Sequence, residues 1–166
     1  IPRDALLRDI LESDSYRAVF VHAPAGHGKT TLLQQILAHL QSRNWDTGWI
    51  TLEEGDDDPS LFLEQFGRLI KNARHDAKPE ATSSSTLLDQ TEGLGDLADV
   101  LAALGQRDEP LALFIDEFHA IRNKIVLGFM ARLLAQLPHH VTLFIASRRI
   151  PEIGLARLQM KGTARI

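Results

Sequence analysis

The stretch Ala23-Pro24-Ala25-Gly26-His27-Gly28-Lys29-Thr30-Thr31 constrains this 166-residue chain more than any other. An apolar run, Ala18-Val19-Phe20-Val21, precedes it, and apolar residues at helical spacing follow from Leu32. Strand, glycine-containing turn and helix, in that order, is how a phosphate-binding loop is built. Gly26 and Gly28 let the backbone bend so that successive N–H groups converge on phosphate oxygens. A helix opening at Lys29 adds about half a positive charge at its N-terminus. Lys29 has the reach for β- and γ-phosphates, and the Thr30 hydroxyl is a ligand type suited to Mg²⁺. The full pattern for such a loop has glycine at position 23, where this chain has alanine. Alanine is the least disruptive replacement as long as φ stays negative there.

The rest of the chain alternates strand and helix signals. Leu6, Leu7, Ile10 and Leu11 predict a helix over about 4–12, and strands are expected at about 17–22 and 47–52. Leu32, Leu33, Ile36, Leu37 and Leu40 give the helix after the loop a wide apolar stripe, ended by Ser42-Arg43-Asn44. Asp58-Pro59 is a helix start, with Phe62, Phe66, Leu69 and Ile70 on its buried face. Leu94 to Leu104 restores a helical stripe that Gly105 ends. Leu111 to Ile115 is apolar throughout, as strands buried on both faces of a parallel sheet are. A helix at about 122–136, broken by Pro138, leads into a further core strand, Val141 to Ala146. Beyond Pro151 only a loop or partial helix is expected. The pattern predicts a three-layer α/β P-loop domain, 1–166, with a mostly parallel sheet and helices on both faces. The polar stretch from Lys71 to about Gln90 reads as a long mobile loop (72–91), a lid or an insertion.

Two groups at predicted strand ends add to the loop. The 111–115 strand ends in Asp116-Glu117. Beside a phosphate loop, Asp116 would order the Mg²⁺ shell and Glu117 would polarise the attacking water. The last core strand ends in Ser147-Arg148-Arg149, again at the edge where open α/β sheets bind ligands. Glu53-Glu54-Gly55-Asp56-Asp57-Asp58 reads first as a solvated, helix-capping loop, with Glu53 or Glu54 facing the phosphate site as the alternative. His119 reads as a packed or capping histidine, and His139-His140 as no metal site.

Composition limits the partners. A net charge of −4 with mixed signs offers no basic footprint for nucleic acid. The absence of cysteine excludes disulfides and thiolate chemistry, which fits a reducing cytosol. No apolar run reaches membrane-spanning length, so no membrane partner is expected and a cytoplasmic location is. The start is not a signal peptide, lacks Met, and reads as that of a domain from a longer protein.

Five segments recur together in one family. They are Pro2-Arg3-Asp4-Ala5-Leu6-Leu7, the 23–31 loop, Trp49-Ile50-Thr51-Leu52-Glu53-Glu54-Gly55-Asp56, Ile115-Asp116-Glu117-Phe118-His119 and Ser147-Arg148-Arg149-Ile150-Pro151. In kind and spacing they resemble the ATPase domain of the large LuxR-type, MalT-like transcriptional activators, within the signal-transducing STAND NTPases. His27 stands where that family commonly has tyrosine, and its position before Pro-Ala-Gly is often a small residue other than glycine, as Ala23 is. The resemblance implies nucleotide contacts from Arg3, Ala25, Gly26, His27, Gly28, Lys29, Thr30 and Thr31, with Arg148 as a sensor of the γ-phosphate. It implies ATP/ADP and Mg²⁺ as cofactors, and a switch: ADP holds the resting form, ATP permits self-association of the full-length regulator, and slow hydrolysis resets it. DNA and inducer would be partners only of domains absent from this chain. Two rival readings are a small-molecule kinase, which a water-activating Glu117 argues against, and a non-hydrolysing, nucleotide-gated interaction module.

Overall fold

A computed structural model describes residues 3–12, 16–76, 96–160, 162 and 164–165. Helix α1 (Arg3–Glu12) leads to β1 (Ala18–His22), the glycine loop and α2 (Lys29–Ser42). Next come β2 (Asp46–Thr51), α3 (Pro59–Asn72), α4 (Leu97–Gly105) and β3 (Leu111–Asp116). The chain finishes with α5 (Lys124–Gln136), β4 (Val141–Ser147), α6 (Leu155–Met160) and the two-residue β5 (Ala164–Arg165). Every strand pair is parallel, in the order β2-β3-β4-β1-β5. Among the described residues no helix is long and apolar enough to cross a membrane.

Alternation along the strands sorts the core into two layers. Ala18 and Phe20, Leu111, Leu113 and Ile115, and Val141, Leu143 and Ile145 face one side, packing with α3, α4, α5 and α6. Val19, Ala112, Phe114, Phe144 and Ala146 face the other, against Ile10 of α1 and the Leu32–Leu40 stripe of α2. The three-layer α/β architecture expected from the sequence follows directly. Trp49, Phe114 and Phe144 sit in register across β2, β3 and β4, and their rings stack at 5.5 and 4.8 Å. Such stacking adds about 0.5–1.5 kcal/mol per pair beyond the buried area. On the opposite face α3 presses onto β2 so closely that a Cβ on Gly48 would lie 2.8 Å from Leu69 Cδ1.

Chain reversals were legible where their chemistry is local. Asn44 ends α2 with φ of 60°, and the N–H groups of Asn44 and Trp45 cap the Gln41 and Leu40 carbonyls. The Asp58 carboxylate accepts from Leu61 N at 3.0 Å, as expected of an N-cap before Pro59.

Other expectations needed correction. Lys71 and Asn72 belong to α3, and Arg74 forms an antiparallel bridge with Thr47, so the irregular stretch starts later than 72. The remainder of the expected 72–91 loop, and Leu94, lie outside the described residues. The 94–104 helix starts at Leu97, because Asp96 caps it through Asp99 N at 2.9 Å. After Pro151 the chain forms α6 and then pairs Ala164 and Arg165 with β1, more regular structure than expected.

Candidate functional site

β1, β3 and β4 run parallel side by side, so their C-terminal ends open at the same edge of the sheet. Ala23 continues the pairing of β1, its N–H donating to the Ser147 carbonyl at 3.4 Å, and its φ is not positive. The alanine is therefore tolerated where the loop pattern prefers glycine. The backbone then turns through Gly26 (φ 77°) and Gly28 (φ 73°), two left-handed positions that a side chain would strain. The first bond of α2 runs from Leu32 N to Gly28 O. The N–H groups of Gly28, Lys29, Thr30 and Thr31 thus precede the helix ladder and are donors for an anion.

Side chains complete the cradle. Lys29 is buried and its ammonium donates to the Pro24 carbonyl at 2.9 Å, spanning the loop it would fill with phosphate. His27 Nδ1 donates to the Ala25 carbonyl at 2.9 Å, which tightens the loop from its exposed side. Thr30 Oγ1 donates to Asp116 Oδ2 at 2.7 Å, joining the start of α2 to the end of β3. The other Asp116 oxygen accepts from Glu117 N at 2.8 Å, and Asp116 is 2% exposed. A hydroxyl and a carboxylate oxygen suit Mg²⁺, which uses few protein oxygens beside phosphate and water. Among the described residues no group of three or more His, Asp or Glu gathers into a metal site of another kind.

A second cluster stands beside the first. Glu117 adopts φ 57°, ψ 36°, an uncommon conformation for a non-glycine residue, and opens a short 3-10 turn, Phe118–Ala120. Its Oε2 receives Arg148 Nη2 at 3.3 Å and His119 Nε2 at 3.0 Å. Arg149 Nη2 donates to the His119 carbonyl at 3.2 Å. The Ser147 hydroxyl is buried and accepts from Arg149 N at 3.3 Å, so it shapes the turn. Burial lowers the pKa of His119 below the ordinary histidine value. Arg148, Arg149 and Lys29 push the same way, and Glu117 opposes them.

The sequence profile of the AAA ATPase domain matches residues 3–145. The chain belongs to that family. Over 97% of its length the chain is 32% identical to the HTH-type transcriptional regulator MalT of Klebsiella pneumoniae. It is 35% identical over 96% of its length to MalT of Yersinia enterocolitica. The chain spans 17% of the length of these regulators. A Drosophila ORC structure bound to DNA superposes with a TM-score of 0.53 at 16% identity, covering 86% of this chain and 35% of that one. That likeness supports the fold. An AAA ATPase domain of MalT-like kind, as the sequence resemblance implied, is a nucleotide-binding domain.

The sequence-predicted residues divide accordingly. Ala25, Gly26, His27, Gly28, Lys29, Thr30, Thr31, Asp116, Glu117 and Arg148 meet at one sheet edge. Arg3 opens α1, and its side chain lies outside the described residues. Glu53 and Glu54 are exposed and, among the described contacts, neither touches the loop. The acidic run is structural at its centre: Asp56 is buried and accepts from Glu53 N and Gln65 Nε2, while one Asp57 oxygen accepts from Arg122 N and Asn123 N. Those last bonds hold the stretch after the Glu117 turn. His119, read from the sequence as a packed or capping histidine, stands against Glu117 and the backbone of Arg148. Its spacing of two from Glu117 was the available signal, since a tight turn brings such residues to one side.

Proposed function

We propose that this chain is a Mg²⁺-dependent, ATP- and ADP-binding switch domain of a STAND-type, MalT-like transcriptional regulator. The observation that carries the reading is the Thr30–Asp116 contact, which joins the phosphate loop to the acidic end of the central strand. In this reading the N–H groups of Gly26 to Thr31 and the Lys29 ammonium hold the β- and γ-phosphates, with Ala25 and His27 shaping the loop and Arg3 contributing from α1. Thr30 and Asp116 would hold Mg²⁺, which when bound neutralises charge on the β- and γ-oxygens.

Glu117 accepts the proton of a water as its oxygen bonds to the γ-phosphorus. The bond from that phosphorus to the β,γ-bridging oxygen breaks, leaving ADP and phosphate. Arg148 turns from Glu117 to the γ-phosphate, so the cation that marks ATP also frees the base. Because the Glu117–Arg148 contact is long and half-exposed, the exchange is inexpensive. In the full-length regulator, ATP would favour self-association and hydrolysis would restore the resting form, in the cytoplasm. DNA and inducer would bind other parts of that protein.

Titration calorimetry with ADP and ATP, with and without Mg²⁺, tests the reading. Micromolar or tighter binding that Lys29→Ala abolishes is the expected result. Equal affinity in the variant overturns it.

A further inference from the structure

The side of the sheet away from α2 carries a groove that has no part in the chemistry proposed above. Its cavity measures about 430 Å³, within the size range of small-molecule sites. Phe62 and Leu63 of α3, Leu97 of α4, and Ile125 and Phe129 of α5 are among its walls. Phe62 and Phe66 each meet Phe129 edge to face at 6.2 Å, so the floor is a fixed aromatic cluster. No lining residue belongs to the 23–31 loop or to the Glu117 cluster, and an occupant here leaves the nucleotide edge free.

One charge on α5 stands out against these apolar walls. Ile125, Phe129 and Arg132 are spaced i, i+4, i+7 and share one face of the helix, so an arginine closes an otherwise apolar row. Its Nε donates to Gly128 O at 3.3 Å within the same helix. Among the described residues no carboxylate pairs with its guanidinium. The opposite charge at the groove is already engaged. Asp96 caps α4, accepting from Asp99 N at 2.9 Å, and its charge sits on the positive end of that helix. Arg132 is thus the charge left for an occupant, and a guanidinium presents a planar fork of donors that matches a carboxylate.

We propose that the groove between α3, α4 and α5 is a binding site for a small carboxylic acid with a single-ring apolar body: the ring lies against Phe62 and Phe129, and the carboxylate pairs with Arg132. The apolar surface is concave and small, with Asp58, Ser60, Glu64 and Lys124 exposed around it. A stable protein contact takes about 800 Å² from each partner, so a small molecule fits this hollow better. The inference does not rest on the nucleotide reading of the site.

The test titrates the purified protein with hydrocinnamate, a phenyl ring on a short carboxylate chain, and with its uncharged amide, and follows methyl NMR signals. The acid should shift the methyls of Leu63, Leu97 and Ile125 with a dissociation constant of about 1 mM, as expected of so small a ligand. The amide should bind about tenfold more weakly, because it lacks the charge that pairs with the guanidinium. Arg132→Gln should weaken the acid about tenfold and leave the amide unchanged. Ile125 is 66% exposed, so Ile125→Glu spares the fold; it sets a like charge in the wall and should abolish binding of the acid. Equal affinities for acid and amide, or an Arg132→Gln variant that binds the acid undiminished, overturn the proposal, since the arginine then only covers the groove with its stem. No shift at tens of millimolar overturns it too, and means that protein fills the groove, from this chain or from another copy. Nucleotide titrations decide the proposed function separately, so either reading can fail without the other.

Discussion

The two halves of the site are built on different principles. The proposed phosphate half is an exposed loop anchored by buried, short-bonded side chains: Lys29 and Asp116 are 6% and 2% exposed, and Thr30 reaches Asp116 at 2.7 Å. The proposed hydrolytic half is open, with Glu117 and Arg148 side chains 30% and 51% exposed and a 3.3 Å contact between them. A half that binds whichever nucleotide is present gains from rigidity, because preorganised donors lose little entropy on binding. A half that must tell ATP from ADP needs contacts weak enough to exchange. On the proposed function, the burial of these anchoring side chains would separate holding from sensing.

Substitutions can break this comparison, and the largest effect belongs to the rigid half. Lys29→Ala removes the buried ammonium that bridges the loop and should abolish ADP and ATP binding alike in the calorimeter. Loss of ATP binding alone would show that the phosphate half also discriminates, and the division would fail. Glu117→Gln comes next. Affinity for both nucleotides should be kept while hydrolysis falls by about 10²–10⁴-fold, the usual contribution of a general base. A single-turnover assay measures it, and unchanged turnover removes Glu117 from the chemistry. Arg148→Ala sharpens the contrast further: ADP affinity should be unaltered, ATP affinity should fall, and hydrolysis should drop by up to about 10³-fold. An equal loss of ADP and ATP affinity would place Arg148 in the holding half.

The same division decides what could be read from the sequence. The rigid half rests on local chemistry. Gly26 and Gly28 take the left-handed φ values that the loop demands, and apolar runs such as Leu111 to Ile115 are what a parallel sheet buries. Asp58-Pro59 and Asn44 marked helix ends because capping is a matter of neighbouring residues. The sensing half depends on what comes together across the sheet. His119 meets Arg148 only because β3 and β4 pair in a register that matches Ile115 with Ile145, and because Glu117 turns left-handed directly after the strand. Neither fact is carried by the residue types. The acidic run was ambiguous for a similar reason: Asp56 is fastened by Gln65, nine positions along α3, and Asp57 by Arg122 and Asn123 on another loop. Arg3 was placed by family likeness alone.

The smallest effect is one of pH, and it separates the halves without mutation. The folded pKa of His119 is lowered, so between its folded value and the unfolded value near 6.5 the unfolded chain binds a proton that the folded chain does not. Stability from this group is complete above the unfolded pKa and is lost as pH falls through the folded one. The ring is partly exposed, so the loss is modest and solvent screening trims it further. Protonation also puts a second N–H on Nδ1, facing the N–H of Arg148, and two donors cannot share that contact. The β3–β4 link should open first there. Melting curves between pH 7.5 and 5 should show a small decline that His119→Gln removes, and calorimetry over the same range should find ADP affinity changed far less than hydrolysis. A decline of the same size in the Gln variant would assign it to other groups, and parallel loss of ADP affinity would mean that the two halves are one cooperative unit.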